Sequence, residues 1–126
     1  MNKKPRRSPP TAYPGDIAPA VGLGVTVFTY ADERFAATVI EIINARRILI
    51  RADRARRVDH NGADGPQVYR FERNTRGRQL HVSLVKRRGA LCWIVTGDDK
   101  EAPRLVTLGE RDQYSNPAFD RVEQAS

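Results

Sequence analysis

The sequence predicts a mainly β protein: a small antiparallel sheet, curled or closed into an SH3-like barrel of about six to seven strands, with an irregular or short helical C-terminal tail. Three observations carry this prediction. Short runs rich in Val, Ile, Thr and aromatic residues recur along the chain. Tight turn signals separate them at short, regular spacing. A chain of 126 residues supports one domain and one core, and closing its sheet removes exposed edges.

Residues 1–19 read as a flexible, basic, Pro-rich leader. Lys3, Lys4, Arg6 and Arg7 charge it, and prolines at 5, 9, 10, 14 and 19 deny it helix or ladder hydrogen bonds. It reads more readily as a solvated tail than as a binding arm. Residues 20–122 form the single β domain, and residues 123–126 a tail. Within the domain, residues 24–30 (GVTVFTY) are a strand. Residues 34–43 (RFAATVIEII) have apolar residues at both parities, which means a strand buried on two faces or one bent by a bulge. A turn at Asn44-Ala45-Arg46 leads into the strand RILIRA (47–52). Residues 53–66 are polar, are punctuated by Asn61-Gly62 and Gly65-Pro66, and read as a long loop. The remaining strands are QVYRFER (67–73), QLHVSLVK (79–86), LCWIVT (91–96) and RLVTLG (104–109). In the second of these, Leu80, Val82 and Leu84 share one face, with His81 and Ser83 pointing away. A short helix is expected after Pro117 if the tail is not irregular.

Charge narrows the partners. The net charge of +7 and pI near 10.2 favour anions, chiefly nucleotides or nucleic acid. One cysteine, Cys92, cannot close an internal disulfide or build a zinc site, and reads as a small core residue. No apolar run approaches the ~20 residues that span a bilayer, and no apolar segment follows the basic N-terminus as in a secretory signal. No membrane partner and a cytoplasmic location are therefore expected.

Catalytic sets are missing from the pattern. The acidic residues Asp53, Asp59, Asp64, Asp98, Asp99 and Asp112 mostly sit beside Arg or Lys or in charged turns, as solvated ion pairs do. His60 and His81 are too few for a convincing metal site, and neither a Walker-type loop nor a nucleophile elbow is present. No enzyme activity, cofactor or metal is expected.

Two polar clusters mix arginine, amide and aromatic side chains. One runs through Arg54, Arg56, Arg57, Asp59, His60, Asn61 and Gly62, then Gln67 and Tyr69. The other holds Gly109, Arg111, Tyr114, Asn116 and Phe119. Guanidinium groups grip phosphate through two parallel hydrogen bonds and stack on bases, while amides read ribose or base edges. The expected ligand-binding residues are Arg57, Asn61, Tyr69, Arg111 and Tyr114, with Arg54 and Phe119 next. Composition alone favours ordinary turns carrying arginines for solubility, and spacing does not decide between the two readings.

The pattern Asn61-Gly62, Gln67, Tyr69, then Gly109-x-Arg111-x-x-Tyr114-x-x-Pro117-x-Phe119, with Trp93 after a Gly turn, resembles a group of small phage-encoded β proteins. Over residues 22–119 the chain is most similar to the Thoeris anti-defence sponge proteins of the first type. That resemblance implies a non-enzymatic role: sequestering cyclic ADP-ribose isomers, or cyclic oligonucleotides, in the host cytoplasm. It also implies a homo-oligomer, a dimer or larger, with pockets at subunit boundaries. The alternatives are a nucleic-acid-binding barrel, which the net charge and basic leader favour, and a protein inhibitor of a host enzyme.

Overall fold

A computed structural model describes residues 13–29, 33–96, 104–115 and Pro117. Among these residues there are eight strands: β1 (Gly24–Phe28), β2 (Arg34–Asn44), β3 (Arg47–Ala52), β4 (Arg54–Arg57), β5 (Tyr69–Glu72), β6 (Gln79–Arg87), β7 (Ala90–Thr96) and β8 (Leu105–Leu108). Six of them close into an antiparallel barrel in the order β1-β2-β3-β6-β7-β8, and β4 and β5 form a separate two-stranded ribbon. No helix among the described residues is long and apolar enough to cross a membrane.

Alternation fixes the register. Ile48 lies opposite Val82, Ile50 opposite Leu80, and Leu84 opposite Trp93. Val27 and Trp93 each face Val106, and Val25 faces Leu108. Each of these couples points into the barrel and is buried. A slip of one residue in any of these ladders exposes its whole apolar set, so the pattern specifies one pairing.

β2 explains its own ambiguous sequence. Its register with β3 shifts between Val39 and Glu41 and again between Ile42 and Asn44. Before the first bulge, Ala36, Ala37, Thr38 and Val39 are all buried. Ala37 and Val39 face the core, whereas the segment after β8 covers the outer face. There the Arg111 guanidinium donates to Thr38, and Arg34 exchanges backbone hydrogen bonds with Tyr114. The strand is therefore both bulged and buried on two sides.

Two stretches differ from expectation. Residues 54–57 were expected within a polar loop but form β4, paired residue for residue with β5 from Arg54↔Glu72 to Arg57↔Tyr69. The leader, expected to stay flexible as far as Pro19, is engaged with the barrel from Tyr13 onward. The Tyr13 ring stacks on Trp93 (centroids 5.9 Å apart, planes 10° apart) and its hydroxyl donates to the Ala45 carbonyl at 3.1 Å. A short 3-10 turn at Pro14–Asp16 follows, and Ile17 packs against the core. The expected helix beyond Pro117 and the tail at 123–126 lie outside the described residues.

Candidate functional site

The site lies where the bulge in β2, the C-terminal end of β3 and the turn after β5 converge. Thr38 faces Arg51 across the β2–β3 ladder, and both side chains point outward. Asp53 follows β3 and is tied back by its amide to the Ala36 carbonyl at 3.0 Å. Its side chain, only 3% exposed, accepts from the Thr38 hydroxyl at 2.7 Å and from Arg111 Nε at 2.9 Å. Arg111 Nη2 donates to the Thr38 hydroxyl at 2.9 Å and reaches the Gly22 carbonyl at 3.4 Å. The guanidinium lies directly over Gly24, where a Cβ would approach Nη1 to 2.6 Å. Glycine at this position is thus a space requirement.

Two adjoining lobes open beside this network. One, of about 190 Å³, is lined by Val21, Gly22, Arg51, Asn74 and Thr75 among others. The second, of about 300 Å³, is lined by Phe71, Glu72 and Arg111. Thr38, Asp53 and Arg73 belong to both. Three guanidinium groups (Arg51, Arg73, Arg111) face two carboxylates (Asp53, Glu72), and Asp53 is committed to Arg111. Arg51 Nε is buried with no hydrogen-bond partner among the described residues. A buried donor left unmade costs about 1–3 kcal/mol, more when it is charged.

The expected ligand-binding residues divide into separate groups. Arg57 turns into its own loop: Nε donates to Asp59 at 2.7 Å and Nη2 to the Gly62 carbonyl at 2.7 Å. Asp59 also accepts from the amides of Asn61 (2.9 Å) and Val68 (2.7 Å). The Arg57 hydrogen bond, with help from the Val68 and Asn61 amides, holds the Asp59 carboxyl well below the usual carboxylate range. Asn61 uses its side-chain amide to donate to the Pro66 carbonyl at 2.8 Å. Arg57 and Asn61 therefore knit the loop between β4 and β5. The hydroxyl of Tyr69, which faces Arg57 in the ribbon, donates to Gln67 at 2.8 Å. Gln67 in turn bonds both the carbonyl and the amide of Ser115, at 2.9 and 3.2 Å. This link ties the ribbon to the segment carrying Tyr114. Tyr114 itself pairs with β2, its ring beneath the Arg34 guanidinium at 5.2 Å, and Arg34 also pairs with Asp112. Arg54 is exposed on the ribbon. Phe119 lies outside the described residues.

Arg111 is thus the expected residue that lines the cleft, and it shares no partner with Arg57. Arg51 and Arg73 were not singled out from the sequence. Arg51 lies one residue before the end of β3 and Arg73 directly follows β5, and their convergence depends on cross-strand register. Among the described residues no cluster of three His, Cys, Asp or Glu side chains could hold a metal ion.

No protein-family model, curated protein or solved structure matches the chain. The arrangement offers three guanidiniums, a hydroxyl at Thr75, an amide at Asn74 and an aromatic ring at Phe71, a set suited to holding a phosphorylated molecule.

Proposed function

We propose that the protein binds a small phosphorylated ligand in this cleft and sequesters it without turnover. A cyclic nucleotide immune signal is the guest that fits the chemistry and the phage-sponge resemblance, whether a cyclic ADP-ribose isomer or a cyclic oligonucleotide. The single observation that carries the reading is the convergence of Arg51 and Arg73 on one cleft, with no salt bridge from either among the described residues. One phosphate can bridge the two guanidiniums where they line the cleft. Phe71 supplies a face for a base, and Asn74 and Thr75 supply contacts for ribose hydroxyls.

Sequestration at nanomolar levels needs about −12 kcal/mol. Charge-assisted hydrogen bonds contribute roughly 1.5–3 kcal/mol each, so two arginines alone fall short and the base must also be covered. Val21, on the rim and 67% exposed, is an apolar contact for a second copy that completes this cover. Assembly as a dimer or larger oligomer, acting in the host cytoplasm, belongs to the proposal.

The test is equilibrium dialysis against a mixed pool of cyclic ADP-ribose isomers, cyclic dinucleotides and linear nucleotides, then release by heat and mass spectrometry. Retention of one cyclic species, returned chemically intact, is the expected result. Free passage of every species at micromolar protein refutes the proposal. Recovery of a cleaved ligand shows an enzyme instead.

A further inference from the structure

The β4–β5 ribbon has two unlike faces. Directly opposed residues of an antiparallel pair share a face. Ala55 with Phe71 and Arg57 with Tyr69 therefore line one side, and Arg54 with Glu72 and Arg56 with Arg70 the other. The first side is half-buried: Tyr69 stacks with Phe71, and Phe71 lines the cleft. The second side is exposed at all four positions. One further pair extends it, because the Val58 amide donates to the Val68 carbonyl at 2.8 Å. These two valines are 43% and 52% exposed. Like charges directly opposite destabilise a ribbon, yet Arg56 faces Arg70, and neither makes a salt bridge among the described residues.

We propose that this outer face is a docking surface for duplex DNA, with the ribbon seated in the major groove. A two-stranded ribbon fits a groove about 12 Å wide. Arg54, Arg56 and Arg70 supply guanidiniums for phosphates or guanine edges, and the Val58–Val68 pair supplies apolar contact for thymine methyls. The polyanion also relieves the Arg56–Arg70 repulsion, and the net charge of +7 favours the encounter. The surface uses neither Arg51 nor Arg73 and meets the cleft at Glu72, which borders both.

The test is fluorescence anisotropy of the full chain with a duplex of about 20 base pairs, between about 50 and 200 mM salt. Affinity is expected to fall linearly in log–log form. Arg56→Ala/Arg70→Ala reduces that slope by about 2, since each phosphate contact contributes roughly 0.9. The same variant, free of DNA at low salt, melts at a higher temperature than wild type. Arg51→Ala/Arg73→Ala abolishes nucleotide retention and leaves the salt slope for DNA unchanged. No duplex binding at about 50 mM salt, or an unaltered slope in the ribbon variant, overturns the proposal. Single-stranded DNA or polyglutamate bound as tightly as the duplex overturns groove docking in favour of a general polyanion or acidic-protein surface.

Discussion

Replacing Arg111 with alanine separates structural work from ligand work at the cleft. The change removes the Nε bond to Asp53 and the Nη2 bond to Thr38, both 2.9 Å, and leaves a carboxylate that is only 3% exposed. Stripping one partner from a fully buried ion pair costs about 3–5 kcal/mol. Arg111 is itself 33% exposed, so water reaches the pair, and the Thr38 hydroxyl still donates to Asp53. The expected loss is therefore about 2 kcal/mol, within the range for charge-assisted hydrogen bonds. For a domain of this size that lowers Tm by roughly 10 °C. Adding Asp53→Asn to Arg111→Ala removes the stranded charge. The double variant should then be more stable than the sum of the two single losses, by about 1 kcal/mol. Thermal and denaturant melts of the four proteins measure this. An Arg111→Ala Tm within about 2 °C of wild type, or a cycle with no coupling, refutes the assignment of Arg111 to a stabilising network.

Three further outcomes follow from the same contacts. Gly77→Ala places a Cβ against the Ala52 carbonyl oxygen, in backbone held by the 2.9 Å bond from the Ala52 amide to the Arg78 carbonyl. Overpacking of this kind costs roughly 1–3 kcal/mol in urea unfolding. Tyr13→Ala removes the stack on Trp93 and should cost about 2 kcal/mol. Tyr13→Phe, which loses only the bond to Ala45, should cost about 1 kcal/mol. Asp59 has a depressed folded pKa, so its stabilisation is complete above its unfolded value of 3.8 and is lost only as pH falls through the lower folded value. NMR of the Asn61 and Val68 amides should accordingly show native shifts persisting at about pH 3, whereas a transition centred near 4 contradicts the assignment.

The barrel was legible because its strands carry their own period. QLHVSLVK and RILIRA alternate, and their apolar positions meet across the β3–β6 ladder as Ile48↔Val82 and Ile50↔Leu80. The mixed parity of β2 signalled a bulge or double burial, and both are present. β4 was not legible: Arg-Ala-Arg-Arg has no β-branched residue and no apolar alternation, so only its partner β5 makes it a strand. The engagement of Tyr13 was hidden by surrounding prolines, which argue against regular structure but not against packing of a ring on Trp93. At the site, residue type pointed to Arg111 without revealing that Asp53 holds it. Arg51 and Arg73 needed the fold itself, since 21 positions and a separate ribbon lie between them in the chain before the cleft brings them together.

The most direct measurement is an NMR titration of arginine side-chain Nε–H groups with cyclic ADP-ribose isomers and cyclic dinucleotides, assigned with Arg51→Lys and Arg73→Lys. Sequestration in the cleft predicts saturable shifts at Arg51 and Arg73 for the retained species, with Arg57 unmoved. Retention of a nucleotide that leaves Arg51 and Arg73 unshifted contradicts it.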